Sequence, residues 1–182
     1  MNNNLKQFYP VIFITIIVLI SISLLAFTNS ITKDQIQINT VKKITEMLGN
    51  MFPQMDHYET QQDIYVVKNS DNSTVGYAFL ATGKGYGGLI DILVGLEDQN
   101  TIKGISIIDN LETPGLGARI VEPSYKDQYN DLPIKDSAIT SKGGKIDAIT
   151  GATISSNAVA EAVKTSALQK VQEIFGTGGG QN

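Results

Sequence analysis

Residues 11–27 form an uncharged apolar run that constrains the fold of this chain more than any other stretch. The run reads VIFITIIVLISISLLAF, and Pro10 stands just before it. Its length is at the short end for a membrane-spanning helix and exceeds the apolar core of a usual signal peptide. No clean small-residue cleavage signal follows Ala26, because Phe27 comes next. We therefore expect residues 1–30 to contain a short N-terminus and an uncleaved transmembrane anchor.

The charges on either side of the apolar run indicate its direction in the membrane. Lys6 and the α-amino group precede it, whereas Lys33 and Asp34 follow it and balance each other. Because positive charge is enriched on the cytoplasmic side, we expect a cytoplasmic N-terminus. A domain spanning residues 31–176 would then lie on the extracytoplasmic face of the cell membrane. The last residues, 177–182, predict a flexible tail.

The composition excludes several kinds of chemistry. The chain has 182 residues, no cysteine and a single histidine, His57. Disulfides, thiolate-held iron–sulfur clusters and thiol catalysis are therefore excluded, and little is left from which to build a zinc site or a histidine-based triad. We expect no metal ligands and no catalytic residues, so redox chemistry would require an organic cofactor. The net charge of −4 argues against a nucleic-acid partner.

From residue 63 onward, segments rich in β-branched residues alternate with short polar or glycine-containing turns. These segments are DIYVVKN (63–69), TVGYAFLAT (74–82), LIDILVGLED (89–98) and TIKGISIID (101–109). Their connections have the length of hairpins, which predicts a mostly antiparallel sheet. Ile134 to Ser141 has the pattern of a further strand.

Helical patterns flank the predicted strands. They occur at residues 31–49, at about 122–130 and at about 155–174. The fold class that we expect is α+β: a mostly antiparallel sheet with flanking helices, on a single N-terminal transmembrane helix.

A glycine-containing bend at residues 147–153, DAITGAT, precedes the last helical pattern. We expect a strand, a tight turn and a helix N-terminus here, with Thr153 at or next to the cap. The free N–H groups and partial positive charge of a helix start suit a phosphate. Alternatively, the hydroxyls of Thr150, Thr153, Ser155 and Ser156 simply form the turn and cap the helix. The residues by themselves leave both interpretations open.

Two further glycine-rich stretches carry weaker signals. Residues 83–88, GKGYGG, formally match the dinucleotide fingerprint G-x-G-x-x-G. The next residues, LIDILVG, have the pattern of a strand and not of a helix, so we interpret the stretch as a hairpin turn or a close backbone approach. Residues 112–117, ETPGLG, predict a surface loop in which Pro114 stiffens the bend and the glycines permit positive φ.

Taken together, GYGG (85–88), ETPGLG (112–117) and DAITGAT (147–153), in this order behind one N-terminal span, resemble the FMN-binding domain family. Members of that family include the G subunit of the Rnf complex and the C subunit of the sodium-translocating NADH:quinone reductase. The resemblance covers residues 31–175. DAITGAT matches the flavinylation motif of the family, D-x-x-S/T-G-A-T/S, at every fixed position.

The resemblance implies a covalent cofactor. In this family, the threonine that corresponds to Thr153 is esterified through its hydroxyl to the phosphate of FMN. A separate flavin transferase installs the group from FAD and recognises the motif, including Asp147. The resemblance places the other cofactor contacts in the same three stretches: Tyr86, Gly87, Glu112, Thr113, Gly115, Leu116, Gly117, Thr150, Gly151 and Ala152. Among these, Glu112 and Thr113 would be polar contacts.

The resemblance also implies a function. The chain would be an electron-carrier subunit of a membrane-bound ion-translocating ferredoxin:NAD+ oxidoreductase, the Rnf complex, with no complete catalytic site of its own. Its partners would be the membrane and peripheral subunits of that complex. The short segment between anchor and sheet favours the Rnf G subunit over the quinone-reductase C subunit. The latter, a standalone extracellular flavin module and a non-redox membrane-anchored binding domain are the alternatives.

Overall fold

The computed structural model describes residues 3–176, so the expected flexible tail at 177–182 lies outside the described residues. The chain divides into two compact units, residues 1–42 and 43–182. Helix α1 runs from Asn3 to Met51. Within it, Pro10–Thr28 is long and apolar enough to cross a membrane, and none of this stretch is buried within the protein. The apolar N-terminal helix therefore fits a membrane anchor.

The second unit is built around a six-stranded antiparallel sheet whose strands are neighbours in the order of the sequence. The strands are β1 His57–Gln61, β2 Ile64–Lys68, β3 Thr74–Lys84, β4 Leu89–Leu96, β5 Thr101–Asn110 and β6 Leu132–Pro133. Four of them, β2 to β5, coincide with the segments predicted from β-branched residues. The α+β class with a mostly antiparallel sheet is therefore confirmed.

Both faces of the sheet are covered by helices. On one face, Leu48 of α1 packs in a cluster with Leu93 of β4. On the other face, helix α3, which spans Thr153–Phe175, places Val163 in a cluster with Ile92 of β4. Because neighbouring residues of a strand point to opposite faces, Ile92 and Leu93 enter different clusters. The central strand is thereby buried on both sides, which explains its nearly continuous apolar sequence.

The connection from β5 to α3 contains short helical turns. Helix α2, Pro123–Lys126, and the 3₁₀ turn Asp127–Tyr129 confirm the short helix expected near 122–130. The strand expected from Ile134 to Ser141 is wrong, because this stretch contains two 3₁₀ turns instead. The N–H and the hydroxyl of Ser137 both donate to the carbonyl of Ile134. This side chain closes a local turn that competes with extended structure.

The strand expected just before the bend at 147–153 is also wrong. Ile146 forms only an isolated parallel bridge with Ile139, and no ladder continues through the bend. The N–H of Asp147 instead donates to the side chain of Gln128, and that of Ile149 donates to the Ser156 hydroxyl. Side chains therefore satisfy the backbone groups that a neighbouring strand would otherwise have bonded.

Candidate functional site

A cavity of about 440 Å³ lies where the β3–β4 hairpin, the loop at 112–117 and the start of α3 meet. Its volume is in the usual range for sites that hold small molecules and cofactors. The residues that line it are Tyr86, Glu112, Thr113, Leu116, Gly117, Gly151, Ala152, Thr153, Ile154 and Ser155. The three stretches that were singled out in the sequence are therefore brought together in space.

Three of the expected contact residues, Gly87, Gly115 and Thr150, do not line the cavity. Gly87 is exposed in the β3–β4 hairpin, and its N–H donates to Glu112. Gly115 has a positive φ of 75°, which lets the loop turn. Thr150 lies in the turn before α3. Ile154 and Ser155 line the cavity although sequence reasoning did not include them. Their place directly after Thr153, in the first turn of the helix, was the available signal.

Glu112 is a buried carboxylate that joins the walls of the cavity. It is 7% exposed. Its Oε1 accepts the N–H of Gly87 at 3.0 Å, and its Oε2 accepts the hydroxyl of Ser155 at 2.6 Å. Its own N–H donates to Asn110 Oδ1 at 3.1 Å. One side chain thus connects the β3–β4 hairpin, the loop and α3, and both of its oxygens have partners within the protein.

The close approach to Glu112 explains why glycines occur in two of the motifs. A Cβ atom at Gly85 would lie 2.1 Å from Glu112 Oε1, and one at Gly117 would lie 2.3 Å from Oε2. The N–H of Gly85 also donates to the carbonyl of Gly88 at 2.8 Å, which closes the hairpin. The interpretation of residues 83–88 as a hairpin with a close backbone approach is therefore confirmed.

The start of α3 has no side-chain cap in the part of the chain that the structure describes. The Ser155 hydroxyl donates to Glu112. The Ser156 hydroxyl donates to the carbonyl of Ala152 at 3.0 Å. Both serines therefore help to build the turn, but neither caps the helix, so the capping interpretation is wrong for them. The uncapped N–H groups and the positive end of the helix dipole are available to an anion.

Thr153 is the first residue of α3, and its exposed side chain lines the cavity. Among the residues that the structure describes, its hydroxyl has no hydrogen-bond partner. Ser155 and Ser156, by contrast, are both buried, and their hydroxyls are engaged. Thr113 also presents an exposed hydroxyl to the cavity, but Thr153 is the one that lies at the uncapped start of α3.

A buried pair of tyrosines supports the start of α3. The hydroxyl of Tyr125 donates to the carbonyl of Ser156 at 2.8 Å and lies 3.0 Å from the hydroxyl of Tyr129. Burial raises the pKa of both phenols well above the ordinary value. They therefore remain neutral at physiological pH and act as hydrogen-bonding groups.

The cavity combines the two kinds of surface that FMN requires. The uncapped start of α3 suits a phosphate. Tyr86, Leu116 and Ile154 are 75%, 49% and 57% exposed, and such apolar and aromatic side chains suit a planar aromatic ring. The residues that are present therefore fit this cofactor.

Comparison with known proteins agrees with the geometry. The profile of the FMN-binding domain matches residues 85–168, a stretch that contains all three motifs. The chain is similar to the G subunit of the ion-translocating oxidoreductase complex of Methanosarcina acetivorans, with 34% identity over 167 residues that cover 84% of this chain and 89% of the relative. It is 35% identical over 136 residues to the G subunit of the proton-translocating ferredoxin:NAD(+) oxidoreductase complex of Clostridium ljungdahlii, covering 71% of this chain and 69% of the relative.

A solved structure supports the same assignment. The crystal structure of the Na(+)-translocating NADH-quinone reductase C subunit from Parabacteroides distasonis matches with a TM-score of 0.53 and 28% identity. The match covers 65% of this chain and 63% of that chain, so it extends over less than two thirds of either. Sequence, fold and cavity lead to one conclusion: the chain belongs to the FMN-binding domain family and is a relative of the G subunits of the ion-translocating (Rnf) oxidoreductase complexes.

Proposed function

We propose that this chain is the electron-carrier subunit of an ion-translocating ferredoxin:NAD+ oxidoreductase (Rnf) complex and that it carries FMN bound covalently to Thr153. The names of its relatives and the FMN-binding domain support the electron-carrier role. The covalent assignment rests on one observation: Thr153 presents an unpartnered hydroxyl to the cavity at a helix start that no described side chain caps.

The attachment is a group transfer without oxidation or reduction. A flavin transferase would form the bond between Thr153 Oγ and the phosphorus of the FMN moiety while the pyrophosphate bond of FAD breaks. AMP leaves, and the hydroxyl proton passes to the solvent. The chain itself places the Thr153 hydroxyl beside the positive end of α3, which favours the negative charge of the phosphodiester.

Each wall of the cavity has a separate task in this proposal. Bound FMN supplies one-electron and two-electron redox chemistry. Leu116, Ile154 and Tyr86 provide the apolar surface for its ring, and their exposure leaves the site open towards a redox partner. Glu112 fixes the walls relative to one another. A covalent bond prevents loss of the cofactor, which is useful on the outer face of a membrane.

The proposal includes a location and partners. Residues 1–30 would anchor the chain with its N-terminus in the cytoplasm, and the domain at 31–176 would lie on the extracytoplasmic face. The partners would be the other membrane and peripheral subunits of the Rnf complex, together with a flavin transferase during maturation.

The covalent link can be tested by co-expressing the chain with a flavin transferase and viewing a denaturing gel under ultraviolet light. The unsubstituted chain and Thr153→Ser should give a fluorescent band, whereas Thr153→Ala should be dark. Thr165→Ala is the matched control, because it removes an exposed hydroxyl of α3 outside the motif and the cavity, and it should remain fluorescent. Mass spectrometry of the tryptic peptide between Lys145 and Lys164 should locate the added FMN. A bright Thr153→Ala band would refute the assignment.

The main alternative is the C subunit of a sodium-translocating NADH:quinone reductase, which the structural match at 28% identity favours. Purification of the intact complex from native membranes distinguishes the two, since the accompanying subunits differ. A non-redox binding domain would be indicated if the chain purified from its native host showed no flavin absorbance.

A further inference from the structure

We propose that Gln128 is a positioning residue for the attachment of FMN. In this inference, which rests on the proposed function, its side chain holds the segment 147–150 as a preformed loop that the flavin transferase recognises on the folded domain. Gln128 lies outside all three family motifs.

The amide of Gln128 bonds both backbone groups of one motif residue. Its Oε1 accepts the N–H of Asp147 at 2.7 Å, and its Nε2 donates to the carbonyl of Asp147 at 3.3 Å. The same Nε2 lies 3.3 Å from the carbonyl of Ser124, to which it also donates. The side chain therefore takes the place of a neighbouring strand for Asp147, although the two residues are 19 positions apart.

The other end of the segment is held independently. The N–H of Ile149 donates to the Ser156 hydroxyl at 3.0 Å, and the N–H of Ala152 donates to the carbonyl of Ile149 at 2.9 Å. Because the backbone is fixed at both ends, the exposed side chains of Asp147 and Thr150 have defined positions. A transferase would then meet the side chains of its motif already arranged.

Within the described part of the chain, Gln128 alone holds the backbone of the segment at its Asp147 end. No described group other than the Gln128 amide bonds the N–H or carbonyl of Asp147. Group transfer depends steeply on the placement of the reacting groups. Loss of the amide should therefore slow the transfer even where the fold is intact.

The test measures the initial rate of FMN attachment to the purified full chain with a flavin transferase and FAD. Gln128→Met keeps the size of the side chain and removes its polar groups. It should reduce the rate by about 5-fold or more, the factor expected for about one lost hydrogen bond. Gln169→Met is the matched control, because Gln169 is exposed on α3 and far along the chain from the motif, and its rate should not change.

A second measurement separates positioning from general stability. Hydrogen exchange at the amides of residues 147–150 should accelerate in Gln128→Met, while the Tm of the domain stays close to that of the Gln169→Met control. Gln128→Asn, which withdraws the amide by one methylene and keeps a polar side chain, gives the same test should the Met variant lose its fold.

The outcomes are distinct. A slower transfer with faster local exchange supports the inference. An unchanged transfer rate overturns it, whether or not exchange accelerates, because the transferase would then not require the preformed loop. A drop in rate without faster exchange at 147–150 also overturns it. Absence of label on the unsubstituted chain would refute the proposed function itself.

Discussion

Replacing Glu112 with alanine removes the carboxylate that joins the β3–β4 hairpin, the loop at 112–117 and α3. The two donors that it leaves behind differ in their surroundings. Ser155 is 1% exposed, so its hydroxyl has little access to water when it loses its acceptor. Gly87 is exposed, so its N–H can bond to water instead. Most of the free-energy cost should therefore arise at Ser155.

The magnitude follows from these two environments. A buried donor left without an acceptor costs about 1–3 kcal/mol, and the lost contacts of the Glu112 stem add to this. We expect Glu112→Ala to lower the free energy of unfolding by about 2–4 kcal/mol. For a domain of this size, that corresponds to a decrease in Tm of about 5–15 °C. Glu112→Gln keeps one acceptor and should cost about half as much.

The assay is thermal unfolding of the full chain in detergent micelles, followed by near-ultraviolet circular dichroism of the buried Tyr125 and Tyr129. A double-mutant cycle of Glu112→Ala and Ser155→Ala isolates the hydrogen bond between them. Its coupling energy should be about 1.5–3 kcal/mol, because the acceptor is charged. Glu122→Ala is the matched control, since the contacts of the Glu122 carboxylate are exposed: an ion pair with Arg119 and a hydrogen bond from the Ser124 hydroxyl.

Two results would refute this reasoning. Glu112→Ala with the stability of the Glu122→Ala control would show that the carboxylate does not hold the cavity walls together. Additive effects of Glu112→Ala and Ser155→Ala would show that their contact contributes no coupling energy. In either case, the role of Glu112 would have to be direct contact with the cofactor, as the family resemblance implies.

Two further predictions concern other parts of the domain. Gly117→Ala should lower stability by about 1–3 kcal/mol, because its Cβ would lie 2.3 Å from Glu112 Oε2. Gly115 has a φ of 75°, and no atom lies within 4 Å of an added Cβ. Gly115→Ala should therefore cost only about 1 kcal/mol of backbone strain. Equal Tm changes for Gly117→Ala and Gly115→Ala would contradict the close approach at Gly117. A hydrogen bond from Lys170 lowers the pKa of Asp63 below 3.8. The pair therefore stabilises the fold above that pH, and this stabilisation is lost as the pH falls through the folded-state pKa. Asp63→Asn should reduce this loss of folding stability at low pH by less than about 1 kcal/mol, measured as Tm against pH. An unchanged profile would show that the pair contributes nothing to stability.

The sequence predicts the strands β2 to β5, which bury apolar side chains, but not β1 or the two-residue β6. Strand β1, His57–Gln61, is almost entirely exposed, so it has no apolar alternation to reveal it. Ile134 to Ser141 has apolar residues at spacings that fit a strand, but they also fit two 3₁₀ turns. The choice between them depends on Ser137, whose hydroxyl bonds a carbonyl three residues earlier.

The location of the site could be predicted because its motifs lie in continuous stretches. Its internal contacts could not, because they join residues far apart in the chain. Glu112 and Ser155 are 43 positions apart, and Gln128 is 19 positions from Asp147. Pairings of this kind depend on the tertiary fold, and no local pattern in the sequence encodes them.

The hydroxyls around the bend show how tertiary contacts distinguish side chains of similar chemistry. By local chemistry alone, without the family motif, Thr153, Ser155 and Ser156 are equivalent candidates, since each of them can cap a helix or carry a phosphoester. In the folded domain, Ser155 donates to a carboxylate and Ser156 donates to a backbone carbonyl, and both are buried. Thr153 faces the cavity at the positive end of α3. The partners of its neighbours therefore favour Thr153 for the proposed modification, and Glu112 contributes by engaging the hydroxyl of Ser155.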